Sequence, residues 1–448
     1  MKGSIEAASN GARENPYIVL ETSLLKELDR LSLMTNSRCI HRVSPQLRLV
    51  CEKAYTPQLV SVGPLHHGKQ ALKRMEEHKM RYLRYFLGRT NLSLMHYIEK
   101  IKDQEAELRS CYSQTIELKS DEFVKIILVD AIFIIEFLFR SWYSQLLEES
   151  DCLFGSPRLA NHVWLDLLLL ENQLPFFILE DLFDPDIFPF PSNYSNRLEG
   201  VESLSMIFLS HYFLDKAGVF IGATGMVPNL ETICCSEVKV QHFVDLSRRF
   251  YVAPILKPES TRRPIALTKP SIEELNQAGV QFKVGHSSNS LFDIKFKGGI
   301  LEIPKLRVLG STEAILRNLV AFEQCNFASG QRYISDYIAM MDYLVDTPKD
   351  VGLLVEYGIV ESGLGGGNNQ LSTLINSLAT GVNVSTKKFY YGTICEDLNK
   401  YCRSPWHRRI ANLRQNYFNT PWAIISFIAA VFLLILTIIQ TICSILSL

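Results

Sequence analysis

The strongest constraint on this chain is an uncharged apolar stretch at its C-terminal end. From Trp422 to Leu448 there is no charged residue, and between positions 423 and 446 Gln440 is the one strongly polar side chain. About 20 such residues cross the hydrocarbon core of a bilayer. The fifteen Ile, Leu, Phe and Val residues in that window favour insertion by on the order of 6 kcal/mol. The stretch therefore predicts a transmembrane helix over residues 421–446, with a buried core helix as the alternative.

The residues that flank this stretch are typical of a membrane boundary. Pro421 suits the first turn of a helix, and the nearby Tyr417, Phe418 and Trp422 match the aromatic belt found at lipid headgroups. The predicted lipid-facing positions include Trp422, Phe427, Phe432, Leu436 and Ile445.

Charge around the predicted span indicates a topology. Four arginines, at 403, 408, 409 and 414, precede it, and no Lys or Arg follows it, so the positive-inside bias places the N-terminal side in the cytoplasm. The first twenty residues contain no apolar core long enough for a secretory signal. We expect a single-pass, tail-anchored protein of the plasma membrane or an endomembrane, with a cytoplasmic body.

Composition excludes several classes of protein. The 448 residues carry 46 Lys and Arg against 47 Asp and Glu, so no global field favours nucleic acid, and we expect no nucleic-acid partner. The ten cysteines have no Cys-x-x-Cys spacing, and reduced thiols in a cytosolic compartment are their simplest interpretation. We expect no cofactor.

The rest of the chain is typical of a mainly α (α+β) protein. Residues 1–15 are small and polar and predict disorder, 16–35 predict an amphipathic helix, and 36–415 predict one helical domain. In the 16–35 helix, apolar residues recur at helical spacing. That helix could pack on the body or lie on lipid, and the acids on its polar face favour packing.

Within the predicted domain, several segments indicate particular elements. Residues 69–87 predict a helix, and a central one begins at Ser120 and runs toward Leu147. Residues 162–183 predict an apolar helix that Pro175 kinks or restarts. The runs LFDIKF and ILEIPKLRV flank Lys297, Gly298 and Gly299, which predicts a small antiparallel β-hairpin. The fold class is thus a helical globular body with this hairpin and one C-terminal transmembrane helix.

One pattern is similar to a phosphate-binding loop. In GPLHHGKQ, residues 63–70, Gly63, Gly68 and Lys69 have the required spacing. However, Gln70 replaces the hydroxyl residue that holds magnesium, and Pro64 removes a backbone N–H from a loop that works by donating them. A degenerate nucleotide-binding enzyme that uses Lys69 and Asp130, with 59–62 as its strand, remains an alternative.

Two further clusters have chemical and structural interpretations. His66 and His67 could bind a metal but lack obvious partner ligands, so a turn histidine and a packed one are favoured. Asp166 and Glu171 could be catalytic carboxylates of a hydrolase, although buried hydrogen-bonding roles suit the apolar segment around them better.

Taken in order, six segments and the terminal YFNTPW plus the span resemble a plant family known as domain of unknown function 247, from about residue 38 onward. The segments are RVSPQLR (42–48), AYTPQLVSVGPLHHG (54–68), MEEHKMRYL (75–83), LLLLENQLPFF (167–177), LFDIKFKGGILEIP (291–304) and RNLVAFEQ (317–324), with Asp130 and Ala131 matching a further family position. The matched positions are Gly63, Pro64, His66, His67, Glu76, Lys79, Asp130, Glu171, Asn172, Gln173, Pro175, Asp293, Pro304, Asn318 and Glu323.

This resemblance carries functional implications. The family's motifs have no assigned catalytic role, and the family includes grass members implicated as male determinants of self-incompatibility. The resemblance therefore implies a membrane-anchored, non-enzymatic protein that recognises an unidentified protein partner or acts in signalling, with pollen–stigma recognition as one form of that role.

Overall fold

Helices dominate a computed structural model of the chain. It describes residues 17–30, 38–90, 92–143, 147, 151–184, 213, 239–252, 264, 270–285, 290–328, 330–404 and 421–446. The α-helices in these ranges are α1 (Ile18–Arg30), α2 (Pro45–Val50), α3 (Arg74–Arg89), α4 (Leu94–Asp103), α5 (Glu105–Ser110), α6 (Ser120–Trp142), α7 (Pro157–Asp166), α8 (Phe176–Leu182), α9 (Phe243–Val252), α10 (Ile272–Gln277), α11 (Thr312–Asn326), α12 (Tyr333–Leu344), α13 (Pro348–Glu356), α14 (Gly367–Ala379), α15 (Gly392–Arg403) and α16 (Pro421–Leu446). The mainly helical prediction is confirmed.

Short strands add a small β region. They are β1 (Gln281–Val284), β2 (Lys295–Lys297), β3 (Ile300–Ile303), β4 (Leu306–Val308) and β5 (Val360–Ser362). The predicted hairpin is confirmed, because β2 and β3 pair antiparallel with Phe296 opposite Leu301. Gly298 and Gly299 turn the chain there with φ of 60° and 79°, which glycine adopts without steric cost. The parallel pairings of β1 with β3 and of β4 with β5 were not predicted.

Helix α6 is the centre of the first half of the body. It begins at Ser120 as predicted, with Asp121 and Glu122 in its first turn, but ends at Trp142 rather than near Leu147. Every residue from Ile126 to Arg140 is buried, and the helix packs against α3, α4 and α8. An all-round apolar helix requires such a position.

The C-terminal half is organised around α11 and α12. Helix α14 packs on α12 and α13, and α9 packs on α11. Capping boxes formed by Ser271 with Glu274 and by Thr347 with Asp350 begin α10 and α13. The glycine-rich run 363–370 ends inside a helix, because α14 begins at Gly367, and the Gln370 side chain accepts the Gly366 N–H at 2.9 Å.

The predicted restart of the 162–183 helix at Pro175 is confirmed, but the predicted continuous helix before Pro175 is wrong. Helix α7 ends at Asp166, and α8 begins only after Pro175. The intervening residues 167–174 are irregular because side chains of Asn172 and Gln173 take the carbonyls of Asp166, Leu167 and Leu169. The interruption creates the site described below.

The two helices at the ends of the chain are exposed. Predicted disorder over 1–15 lies outside the described residues, but α1 lies within the predicted 16–35 helix. Its apolar side chains are 49% to 80% exposed, so the packing that its sequence favoured is not seen among the described residues. Helix α16 has 26 residues, and among the described residues it alone is long and apolar enough to cross a membrane, with none of its segment Ile425–Leu446 buried.

Candidate functional site

The motif loop, residues 58–69, forms no strand, and its middle part, from Val60 to His66, is largely buried whereas its two ends are exposed. Its first three N–H groups, those of Gln58, Leu59 and Val60, donate to the Asp166 carboxylate over 2.9, 2.7 and 2.8 Å. Buried N–H groups outside secondary structure need such acceptors. Asp166 therefore holds an extended segment that no neighbouring strand pairs.

Asn172 continues this pairing along the motif loop. Its side-chain oxygen accepts the Val62 N–H at 2.7 Å, and its amide nitrogen donates to the carbonyls of Val60 at 3.0 Å and Asp166 at 2.9 Å. The Asn172 amide thus pairs with the motif loop as the backbone of a neighbouring strand would. This requires both a donor and an acceptor on one side chain.

The turn at Gly63 has room for no side chain. Its φ is 71°, and a Cβ there would lie 2.8 Å from the Gln173 carbonyl oxygen and 2.9 Å from the Tyr112 hydroxyl. The Gly63 N–H donates to the Asp130 carboxylate at 2.8 Å. Glycine is required because the positive φ and this close approach both disfavour a Cβ.

Asp130 forms a buried ion pair with Lys79 of α3. The Lys79 Nζ lies 2.6 Å from Asp130 Oδ1 and 2.7 Å from Glu76 Oε1, and the Lys79 side chain is 0% exposed. Burial opposes the charge on Lys79, but the nearby Asp130 and Glu76 carboxylates raise its pKa. The pair joins α3, α6 and the motif loop.

Glu171, in the irregular segment between α7 and α8, is a second ionic centre. Its carboxylate accepts Arg42 Nη1 at 2.8 Å, Arg48 Nη2 at 2.5 Å and the Val43 N–H at 2.8 Å. Burial alone would raise its pKa, but hydrogen bonds from His66, Val43, Arg42 and Arg48 lower the pKa of Glu171 to about 2. It is an anion at every physiological pH.

Asp166 differs from Glu171, although only five positions separate them. Its partners are three neutral N–H groups rather than cations. Burial therefore prevails over these hydrogen bonds and raises the pKa of Asp166 to about 6. Both carboxylates are buried and bound to backbone, in agreement with the predicted hydrogen-bonding roles.

Two amides connect the break between α7 and α8 to the C-terminal half. The Gln173 side-chain oxygen accepts the Phe243 N–H at 3.1 Å. Asn318 accepts the Leu170 N–H at 2.9 Å and donates to the Ala54 carbonyl at 2.7 Å.

In the C-terminal half, Glu323 accepts Arg248 Nε at 3.0 Å and the Ser335 N–H at 2.8 Å. We call the polar network the set Lys79, Asp130, Asp166, Glu171, Asn172, Gln173 and Asn318.

The parts of the nucleotide hypothesis do not come together. Residues 59–62 are not a strand, and Asp130 pairs with Lys79. Lys69 is exposed, and partial burial followed by the charges of Arg42 and Arg48 lowers its pKa. The structure therefore separates the roles that the phosphate-loop spacing joined.

The two histidines also have different surroundings. His66 is buried with its Nε2 3.3 Å from Glu171 Oε2, and burial lowers its pKa although Glu171 opposes the shift. His67 is half-buried. Across the described ranges no group of three or more His, Cys, Asp and Glu side chains could hold a metal ion.

Other motif positions lie elsewhere. Pro175 precedes α8 as its N-cap, Asp293 pairs with Lys295 at 2.6 Å, and Pro304 separates β3 from β4. Sequence reasoning missed the two arginines that hold Glu171, although both lie in the quoted segment RVSPQLR. The sequence signal that could have identified these arginines is their spacing around Ser44, the N-cap of α2.

Comparisons with known proteins agree with the motif pattern. The family model DUF247, plant protein of unknown function, matches residues 40–436. The chain is 26% identical to the UPF0481 protein At3g47200 of Arabidopsis thaliana, covering 98% of this chain and 90% of that protein. It is 25% identical to the putative UPF0481 protein At3g02645 of the same plant, covering 94% and 93%. No solved structure matches.

Proposed function

The chain belongs to the DUF247 family of plant proteins of unknown function, and we propose that it is a membrane-anchored protein whose helical body binds another protein without catalysis. The observation that carries this proposal is the use of the motif residues. The carboxylates and amides of these residues hydrogen-bond to buried backbone groups or form internal ion pairs, so they stabilise the fold.

Burial of the polar network argues against the two enzyme alternatives. A general acid or base must lie within reach of a bound substrate. Asp166 and Glu171 are 3% and 1% exposed, and neither has an oxygen without a protein donor. Lys69 and Asp130 belong to different ionic groups. Because the polar network makes only internal contacts, we expect the body to bind a partner through its exterior surface.

The apolar helix α16 supports anchoring. At about 1.5 Å per residue its 26 residues extend roughly 39 Å, enough for a hydrocarbon core of about 30 Å. Its exposed apolar side chains lose contact with water only in lipid or against another chain. The arginines that precede it favour a cytoplasmic body.

Self-recognition is the finer form of the proposal. It is supported by the resemblance to the grass family members implicated as male determinants of self-incompatibility. In that form the body binds an unidentified protein that takes part in pollen–stigma recognition.

Anchoring is tested by extraction of plant membranes. We expect the full-length protein to remain in the pellet after alkaline carbonate treatment and high-speed sedimentation, and a variant that lacks residues 421–448 to move to the supernatant. A full-length protein found in the supernatant would overturn anchoring.

Binding is tested by affinity capture from plant membranes with the full-length protein as bait. The matched control is a bait that keeps residues 404–448 but lacks the body. We expect specific proteins to be retained only when the body is present. Equal recovery with both baits would refute a recognition role for the body.

The enzyme alternative has its own measurement. Titration of the detergent-solubilised protein with Mg-ATP and Mg-GTP should give no binding heat. Saturable binding that Lys69→Ala abolishes would favour the nucleotide interpretation over this proposal.

A further inference from the structure

A pair of buried cysteines connects the beginning of the body to the end of α5. Cys39 and Cys111 are 3% and 4% exposed, and both are free thiols in the structure. They lie outside the polar network, and neither the proposed binding role nor the proposed anchor uses them.

Backbone pairing places the two cysteines opposite one another. Ile40 and Tyr112 form an isolated parallel bridge, in which the Ile40 N–H donates to the Cys111 carbonyl at 3.0 Å and the Ser113 N–H donates to the Ile40 carbonyl at 2.9 Å. The Cys39 N–H also donates to the Cys111 carbonyl, at 2.9 Å. Cys39 and Cys111 are therefore neighbours in register, one position before the bridge.

This register suits a disulfide. Adjacent extended segments lie about 4.8 Å apart, within the Cα separation of about 4.4 to 6.8 Å that a disulfide spans. Side chains at matched positions of a parallel pair point to the same side. The electrostatics agree with this register, since the neighbouring Cys111 thiol and burial raise the pKa of Cys39.

We propose that Cys39 and Cys111 are a latent disulfide pair that, when oxidised by a low-molecular-weight disulfide such as oxidised glutathione, covalently ties the segment before α2 to the end of α5. The thiolate of Cys111 attacks the glutathione disulfide and releases one glutathione thiolate. The thiolate of Cys39 then attacks the mixed disulfide and releases the second. Two protein thiols are oxidised, one glutathione disulfide is reduced to two thiols, and the two protons pass to the released thiolates.

Formation of this disulfide would also affect the polar network, through Glu171. Arg42 and Val43, three and four residues after Cys39, hold the Glu171 carboxylate. A covalent tie at Cys39 restricts the segment that carries both groups. The oxidised body should therefore open less often at the motif loop, and it should resist thermal unfolding better because the bond constrains the unfolded chain.

The test uses the full-length protein synthesised cell-free into detergent micelles in glutathione buffers of increasing oxidised fraction. Both thiols are then accessible before folding buries them. Free thiols are alkylated with N-ethylmaleimide under denaturing conditions, and tryptic peptides are measured by mass spectrometry without reduction. Trypsin cuts after Arg38, Arg42, Arg109 and Lys119, which isolates residues 39–42 and 110–119.

We expect these two peptides to become linked as the oxidised fraction rises, with a mass two hydrogens below their sum. The matched control is Cys395, a buried thiol whose sulfur contacts Met340 Sδ and which should stay alkylated. Alkylation of both cysteines at the most oxidising poise, or glutathione adducts on either without the link, would overturn the proposal.

Variants give an independent readout. Oxidation should raise the midpoint of thermal unfolding by several degrees in the wild type and in Cys395→Ala, and it should have no such effect in Cys39→Ala or Cys111→Ala. If the alanine variants do not fold, peptide mapping of the wild type alone decides. A rise that persists in folded Cys39→Ala would assign the stabilisation to another pair.

Discussion

Around the motif loop, charged groups lie inside the body, whereas along α16 apolar groups lie outside it. Lys79 and Asp130 are buried with their charges matched, while the described side chains of Ile425–Leu446 are all exposed. The first arrangement is stable in water because every buried charge has a partner. The second is unfavourable in water, so the two regions are adapted to different surroundings.

The largest expected effect concerns α16. Phe432→Arg with Leu436→Arg places two cations near the helix centre and opposes insertion by about 5 to 7 kcal/mol, comparable with the favourable free energy of the whole stretch. We expect the double variant to be recovered in the carbonate supernatant. The control, Phe432→Leu with Leu436→Ile, should remain in the pellet, and pelleting of both would mean that α16 does not determine membrane association.

The next effect concerns the buried pair. Asp130→Ala leaves the Lys79 ammonium and the Gly63 N–H without their carboxylate, and we expect the free energy of unfolding to fall by about 3 to 5 kcal/mol. Asp121→Ala, in the exposed first turn of the same helix, should change it by less than about 0.5 kcal/mol. Denaturant unfolding in detergent measures both, and equal losses would refute a special role for the pair.

A smaller, pH-dependent effect separates the two buried carboxylates. Burial raises the pKa of Asp166 from 3.8 to about 6, so its contribution to stability is complete below about pH 4 and is lost as the pH rises through 6. The pKa of Glu171 is lowered from 4.5 to about 2, so its contribution is complete above about pH 4.5 and is lost as the pH falls through 2.

Comparison of wild type with Asp166→Asn over pH 4 to 7 tests this difference. The wild type should lose on the order of 2 to 3 kcal/mol relative to the variant across that range. Glu171→Gln should show the opposite slope, below pH 4.5. A difference between wild type and Asp166→Asn that does not vary with pH would contradict the raised pKa.

The smallest effect is expected at α1. Because Leu24 and Leu28 are 49% and 59% exposed, Leu24→Ser with Leu28→Ser should change the free energy of unfolding of the body by less than about 0.5 kcal/mol. Leu83→Ser, on the buried face of α3, is the contrasting control. A loss above about 2 kcal/mol in the α1 variant would show that the helix packs on the body.

Local patterns predicted part of the fold. The start of α6 follows from Ser120 and its acidic first turn, and the hairpin follows from its paired glycines. The end of α7 was missed because apolar periodicity continues through Leu167–Leu170, while the interruption is imposed by amides that hydrogen-bond to backbone. Helical propensity is weak beside such tertiary contacts.

The sequence predicted which residues belong to the polar network, but it did not predict which of them pair with each other. Resemblance identified Lys79, Asp130 and Glu171, and the apolar surroundings of Glu171 predicted a buried role. No spacing in the sequence indicates that Lys79 rather than Lys69 is the partner of Asp130, because that choice depends on how α3 packs against α6. The arginines at 42 and 48 reach Glu171 across more than 120 positions, which local patterns do not record.

The hydrogen bond from Asn318 to Ala54 joins residues 264 positions apart, which bears on the order of assembly during synthesis. At about 5 to 20 residues per second, residue 54 waits roughly 13 to 53 seconds before its partner is polymerised. Throughout that interval the carbonyl of Ala54, four residues before the motif loop, lacks its hydrogen bond from Asn318. Closure of the body is therefore a late event in translation, which can be completed only after residue 318 has been synthesised.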